Sequence, residues 1–410
     1  MKKTVIIGGG AAGMTAAIAS AGAGDSVTLL EHSPQLGKKL LSTGNGRCNL
    51  TNRNQDASFY RCPESDFPEK ALKQFGYKET LEFFRGLGLF LKEKEGYVYP
   101  RSSQASSVRN ALLRELERRK VDLKMETDVR EIVKYEKGFR VRTSDTSYVS
   151  DRVILSCGGM AAPSTGSDGS GYRLAAEMGH RIIEPVPALV QLRSFRTALQ
   201  KAAGVRADGR ISLYIMENGR RAFAGADTGE IQLTDYGISG IPVFQVSRYA
   251  SKALSENKQV WAEIDFLPEY TSMEEKQKLF QSVRQEKKGY DCLEVLCGLF
   301  PEKLALAFLK EADIPFHLPA EQLDENRTEK LCRTVTCFSV PISGTNSFSQ
   351  AQVTAGGVDV RDVVPESMES RLVQGLYFAG EILDVDGICG GYNLQWAWTS
   401  GWLAGKQGRK

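Results

Sequence analysis

Residues 4–31 read TVIIGGGAAGMTAAIASAGAGDSVTLLE, and this stretch decides the fold. Val5, Ile6 and Ile7 form a short apolar run of the kind buried on both faces of a parallel sheet. Gly8, Gly10 and Gly13 follow as GxGxxG, and the alanine-rich run from Met14 to Ala23 predicts a helix lying close on the strand. Val27 to Leu30 predict a second strand that ends at Glu31. The spacing has a physical reason. Gly8 permits a tight turn, Gly10 leaves room for a pyrophosphate, and Gly13 lets helix and strand touch. The phosphates then meet the positive helix end and the backbone N–H groups around Ala11 and Ala12. Glu31 can accept hydrogen bonds from ribose hydroxyls and would repel a 2′-phosphate. His32, next in the chain, is expected either beside that ribose or toward solvent. Strand, helix, second strand and acid together point to an adenosine diphosphate group.

Glycine chemistry returns only at the far end. Residues 375–405 read GLYFAGEILDVDGICGGYNLQWAWTSGWLAG: a predicted strand from Leu376 to Ala379, then Gly380–Glu381, a loop, and Gly390–Gly391 opening a helix from about Tyr392. This resembles the closing motif of two-dinucleotide-binding-domain flavoproteins. The resemblance implies that Gly380 and Glu381 pass the ribityl–phosphate part of FAD. It also implies that the helix start, with Gly391, Tyr392, Asn393 and Leu394, points at the pyrimidine end of the flavin, where negative charge gathers on reduction. Glu381 stands where Asp is commoner. Between the two ends, Val121–Thr127, Val129–Val133, Phe139–Thr143 and Tyr148 predict a meander leading into Val153–Leu155 and Ser156–Gly159. The same resemblance puts Gly158 near the adenosine and Val129 against the adenine; a plain hairpin with a buried Val129 is the other reading.

Residues 37–52, GKKLLSTGNGRCNLTN, narrow the match. With the closing motif they closely resemble the FAD-dependent oxidoreductase family that includes bile-acid enone reductases and aminoacetone oxidases. The resemblance runs along nearly the whole chain. It implies an α/β fold in which a Rossmann-like FAD-binding domain is split by an insertion with a β-barrel-like part and a helical part. The expected segments are 1–189 and 346–410 for the FAD-binding domain, 190–268 and about 335–345 for the β-rich part, and 269–334 for the helical part. Strand-like runs at Ile211–Ile215 and Trp261–Phe266, helix-like stretches from Met273 to Lys310, and Pro268 and Pro341 as punctuation fit that division. In the 37–52 loop, Thr43, Asn45, Asn49 and Asn52 offer hydrogen bonds to ring and ribityl edges, and Gly44 and Gly46 allow backbone approach. Lys38, Lys39 and Arg47 can balance phosphate or flavin charge. Cys48 reads as a small buried hydrophobe rather than a nucleophile.

Composition excludes several other classes. Lys+Arg 53 against Asp+Glu 50 gives +3 over 410 residues, so no global field draws nucleic acid or an anionic membrane. No run reaches the ~18 apolar residues of a spanning helix, and the glycine triplet 8–10 argues against a targeting helix at the start. Eight cysteines are too sparse for a disulfide scaffold and suit a reducing compartment, so the cytoplasm is expected. Cys292/Cys297 and Cys332/Cys337 lack the spacing of a common zinc site, and no metal is expected. Three histidines without a GxSxG motif leave little for a hydrolase. Asp168, in the loop before RLAAEMG, caps the next helix or faces cofactor. Residues 353–358 read either as a substrate-side stretch or as a strand ending in a glycine turn.

The expected chemistry is hydride transfer at a flavin. The leading reading is reduction of an activated C=C, such as the enone of a 3-oxo bile acid or steroid-like small molecule, with NAD(P)H as a transient donor. An amine oxidase releasing hydrogen peroxide is the alternative enzyme, and a flavin-binding interaction protein the non-enzymatic one. The catalytic group is not assigned; Arg47, Tyr97 and Tyr392 are the candidates, with Tyr99 and Arg101 beside them.

Overall fold

A computed structural model describes residues 1–286 and 289–406. The chain divides into two compact units, Met1–Pro185 with Gln352–Lys410, and Val186–Ala351.

The first unit is built on a five-stranded parallel sheet. Its strands lie in the order Leu376–Phe378, Arg152–Leu155, β1 (Lys3–Ile7), β2 (Ser26–Leu30) and Asp122–Lys124. Ile6 of β1 pairs in register with Ile154 on one side and Leu29 on the other. All three are fully buried, as an uninterrupted apolar run in a central parallel strand requires. Helix α1 (Ala11–Gly22) crosses from β1 to β2 and starts earlier than the expected Met14. The first alanines join the helix because they already follow the glycine turn. The strand expected over 121–127 is shorter, Asp122–Lys124, because Glu126 takes a left-handed conformation (φ 51°) and turns the chain away. A separate antiparallel meander is formed by Val129–Tyr135, Gly138–Thr143 and Ser147–Ser150.

The two ends of the chain meet in this unit. The closing helix, Tyr392–Lys406, packs along α1 at a spacing only glycine tolerates. A Cβ on Gly401 would sit 2.4 Å from the Ala12 carbonyl oxygen, and one on Gly405 the same distance from that of Ala16. The Ser20 hydroxyl donates to the Gly405 carbonyl at 3.2 Å. Below the sheet, Arg152 forms a buried ion pair with Asp25 and donates to the Thr4 hydroxyl, joining the starts of two strands to the end of α1.

The second unit holds a seven-stranded antiparallel sheet. The strand order is Phe338–Ile342, Val260–Asp265, Arg206–Glu217, Arg220–Leu233, Gly237–Ser239, Leu192–Arg193, Gly344–Thr345. Its two outermost strands are consecutive in the chain with only Ser343 between them, so the sheet curls back toward itself. The long hairpin turns at Asn218–Gly219, both left-handed, which matches the right-handed strand twist. Helix Ile241–Ser255 lies inside the segment expected to be β-rich, and the helix Glu325–Thr336 begins inside the expected helical part and runs two residues past its end at 334. Sheet and helices share one core, with Phe266, Phe300, Phe308 and Phe338 in edge contacts at 5.1–5.9 Å. Pro341 does not mark a boundary. It pairs with Trp261 inside an edge strand, where a residue without an N–H is tolerated because one side of the strand has no ladder partner.

Candidate functional site

The glycine turn after β1 is held from below by the end of the neighbouring strand. Ser156 donates its N–H to the Ile7 carbonyl at 2.8 Å and its hydroxyl to the Gly8 carbonyl at 2.9 Å. Gly8 has φ 101°, and a Cβ on Gly13 would sit 1.9 Å from the Gly8 oxygen, so turn and helix touch. Around the Cβ position of Gly10 there is nothing within 4 Å. The first intrahelical bond runs from the Met14 N–H to the Gly10 carbonyl. The N–H groups of Ala11, Ala12 and Gly13 precede it and have no intrahelical acceptor, which is the geometry of an anion cradle. Glu31 stands at the end of β2 beside this turn. Its carboxylate accepts from the Gly9 N–H at 2.7 Å and the Ser33 N–H at 2.8 Å, leaving lone pairs for a diol. His32 is partly buried, its Nε2 3.8 Å from the Glu31 carboxylate.

The closing helix repeats the device. Its first intrahelical bond runs from the Gln395 N–H to the Gly391 carbonyl at 2.9 Å, so the N–H groups of Tyr392, Asn393 and Leu394 lie in the unpaired first turn. Gly380 brings this region against α1, since a Cβ there would sit 2.8 Å from that of Ala12. The Asn49 amide oxygen is buried without a hydrogen-bond partner, and a Cβ on Gly391 would come within 3.0 Å of it. An orphaned buried acceptor is costly in a finished core and is expected where a ligand completes the bond. Cradle, diol acceptor and orphaned amide fit FAD.

Several expected contacts are committed to the chain itself. Glu381 accepts from Lys39 Nζ at 2.7 Å and from the Thr354 N–H at 2.8 Å, so its extra methylene relative to Asp serves to bridge two segments. Lys39 is therefore an ion-pair partner rather than a free cation. The Asn393 side chain accepts from the Gly387 N–H and donates to the Gly387 carbonyl, both at 2.8 Å, leaving only its backbone for a ligand. Asp168 accepts from the Ser170 N–H at 3.0 Å, a turn bond just ahead of the helix, whose N-cap position is Gly169 rather than Asp168. The Thr354 hydroxyl accepts from the Met160 and Ala161 N–H groups at 2.8 and 3.0 Å, so the 353–358 strand is tied to the loop after Gly158.

The 43–49 loop is fixed by its backbone. Gly44, Asn45, Gly46 and Cys48 are all left-handed, and the Thr43 carbonyl accepts from the N–H groups of Gly46 and Cys48. Cys48 is fully buried, and burial pushes its thiol up to about 12. Arg47 is exposed. Tyr97 and Tyr392 both stand against Gly390, their ring atoms 3.2 and 3.1 Å from where its Cβ would be. Tyr97 is 38% exposed, whereas Tyr392 packs on Phe59 and Tyr60 at 5.2 and 5.8 Å. Burial, with Tyr97 nearby, pushes the Tyr392 phenol up to about 12. Burial also raises Tyr99, with the Arg47 charge opposing. Val129 is half-buried at the start of its strand.

Sequence reasoning missed the layer behind these residues. Gln395 is fully buried; it accepts from the Thr51 hydroxyl at 2.6 Å and donates to the Thr80 and Thr399 hydroxyls at 2.9 Å. The available signal was Gln395 and Thr399 at an i, i+4 spacing on a helix otherwise rich in Trp and Ala. Cys48, Cys157, Cys292, Cys297, Cys332 and Cys337 carry free thiols, and no metal-ligating cluster occurs among the described residues. No helix among them is long and apolar enough to cross a membrane.

A family model described as "HI0933-like protein Rossmann domain" matches residues 2–407. The chain is 49% identical over 408 residues to the 3-dehydro-bile acid delta(4,6)-reductase of Clostridium scindens, covering 99% of this chain and 98% of that protein. It is 28% identical over 399 residues to the ribosomal RNA dihydrouridine synthase of Escherichia coli, covering 97% and 96%. Among solved structures, the 3-ketosteroid-delta4-(5alpha)-dehydrogenase of Rhodococcus jostii RHA1 superposes with a TM-score of 0.50 at 15% identity, covering 100% of this chain and 97% of that one. That likeness is one of fold.

Proposed function

The chain belongs to the HI0933-like Rossmann-domain family of FAD-dependent oxidoreductases, and from that premise we propose that it reduces the C=C of a 3-oxo, steroid-like enone. The observation that carries the reading is near-full-length identity of 49% to a bile-acid enone reductase. The RNA-acting relative points to the same bond chemistry, since dihydrouridine is uridine with a carbonyl-conjugated C=C reduced. Charge favours the small molecule over RNA. Residues 186–351 carry twenty Lys and Arg against twenty-one Asp and Glu, which offers no net attraction to a polyanion.

When bound, FAD supplies the hydride. The chain's part is to bind and orient. The first turn of α1 and the Glu31 carboxylate are suited to the pyrophosphate and adenosine ribose, and the first turn of the closing helix to the electron-rich edge of the ring. Tyr97, partly exposed beside Gly390, is the group best placed to hold a proton for the carbon next to the one that receives hydride. Tyr392, held in the aromatic cluster of Phe59 and Tyr60, stands at the same Gly390 position. NADH or NADPH is proposed as the donor, visiting the flavin without a second GxGxxG site. The cytoplasm is the proposed compartment, because eight cysteines over 410 residues are too sparse for a disulfide scaffold and suit a reducing environment.

The test is anaerobic. NADH or NADPH should bleach the flavin absorbance, and a 3-oxo-4-ene bile acid should restore it and gain two hydrogens by mass. Bleaching by an amine, with oxygen uptake and no response to the enone, would establish the oxidase instead.

A further inference from the structure

The segment Asn49–Asn52 is strapped along the start of the closing helix by three bonds that no glycine motif predicts. Trp398 Nε1 donates to the Leu50 carbonyl at 2.9 Å, the Thr51 hydroxyl donates to Gln395 Oε1 at 2.6 Å, and Asn52 Nδ2 donates to the Gly390 carbonyl at 3.2 Å. Leu50, Thr51, Gln395 and Trp398 are all fully buried. Gln395 is anchored in turn by Thr80 and Thr399, and Thr399 donates to the Phe75 carbonyl at 2.6 Å. Two residues before Thr51 stands Asn49 Oδ1, a buried side-chain oxygen without a hydrogen-bond partner, against Gly391.

A buried polar network of this size is held to a single arrangement by its own bonds, because any other arrangement leaves buried donors unpaired. Beside it, two residues from Thr51 on the same strapped segment, stands an unused acceptor. The polar atoms of an FAD ring are mostly acceptors; its donors are the ring N–H groups. An amide oxygen with no donor in the protein is the complement of such a group. We propose that Gln395 is a positioning residue: through Thr51 it holds the Asn49 amide oxygen in place to accept a hydrogen bond from a ring N–H of bound flavin. The proposal rests on the chain binding FAD, and deepens that reading by assigning a role to residues outside the glycine motifs.

The experiment compares wild type with Asn49→Leu, Gln395→Leu, Thr51→Val, Thr51→Ser and Thr399→Val. FAD affinity of the stripped proteins and the midpoint potential of the bound flavin are read beside the thermal midpoint. Loss of one such bond should weaken FAD binding by about two- to ten-fold, or move the potential, in Asn49→Leu, Gln395→Leu and Thr51→Val alike. Thr51→Ser keeps the hydroxyl and should stay at wild type. Thr399→Val takes away one of the two anchors of Gln395 and leaves the Thr80 bond, so it should lower the thermal midpoint and disturb the flavin readouts less than Gln395→Leu. The Asn49→Leu/Gln395→Leu double variant should show no flavin effect beyond Asn49→Leu, because one residue acts through the other. Wild-type affinity and potential in Asn49→Leu, or fully additive effects in the double variant, overturn the proposal. Failure of the wild-type protein to take up FAD is a different result, and overturns the functional reading itself.

Discussion

Cys48 lies in the middle of the 37–52 motif, yet burial decides its chemistry. With its thiol pushed up to about 12, it carries almost no thiolate near neutral pH. Iodoacetamide at pH 8 should therefore alkylate exposed Cys337 readily and leave Cys48 unmodified in the folded protein, as peptide mass spectrometry will show. His180 is a second residue governed by its surroundings. It is buried, edge-on to Phe378 at 4.7 Å, with Nε2 2.8 Å from the Ser370 hydroxyl. Burial lowers its pKa below the ordinary 6.5, against smaller opposing pulls from the Ala175 carbonyl and Asp362. Below pH 6.5 the unfolded chain then binds a proton that the folded chain resists. Its contribution to stability is present above pH 6.5 and declines as pH falls from there toward the lower folded value. The drop in thermal midpoint between pH 7.5 and pH 5.5 should be larger for wild type than for His180→Gln; an equal drop would show that His180 does not titrate on unfolding. Sequence could nominate both residues but not weigh them, because a neighbour such as Phe378 or Ser370 is far away along the chain.

At the scale of elements, the contact that matters most joins α1 to the closing helix. The Gly401→Ala methyl would meet backbone rather than a movable side chain. Overpacking of that kind costs about 1–3 kcal/mol, and the thermal midpoint should fall accordingly. Gly86→Ala is the control, since a Cβ there meets nothing within 4 Å, and it should leave the midpoint unchanged or raise it. The β1–α1–β2 unit was legible because its signals are local: an apolar run, glycine spacing, an acid at the strand end. The hairpin turn at Asn218–Gly219 was equally local and was overlooked. Pro341 was misread for a different reason. Whether a proline interrupts a strand or lies on an edge depends on how many neighbours that strand has, and only the assembled sheet settles that.

Over the whole molecule, FAD binding should stabilise one unit more than the other. A ligand at one hundred times its Kd adds about 2.7 kcal/mol to the state that binds it. Hydrogen exchange with and without FAD should slow at residues 8–13, 43–49 and 390–394 and leave the hairpin 206–233 unchanged; protection centred on the hairpin would relocate the cofactor. The sequence determined by itself that the chain carries a dinucleotide turn, that its two ends share one cofactor chemistry, and that neither polyanion nor bilayer is favoured by its charge or its apolar runs. The turn and the charge follow from composition and from patterns a few residues wide; the shared cofactor is what the resemblance of both ends to flavoprotein motifs implies. Only the tertiary structure decided which polar groups are free to act. Glu381, Lys39 and Asn393, expected to face the cofactor, also bond to their own chain, while Asn49 holds an unused acceptor two residues from the Thr51 that Gln395 anchors. Hydrogen-bond satisfaction is a property of neighbours in space, and the Lys39–Glu381 and Thr51–Gln395 partners lie more than three hundred residues apart in the chain.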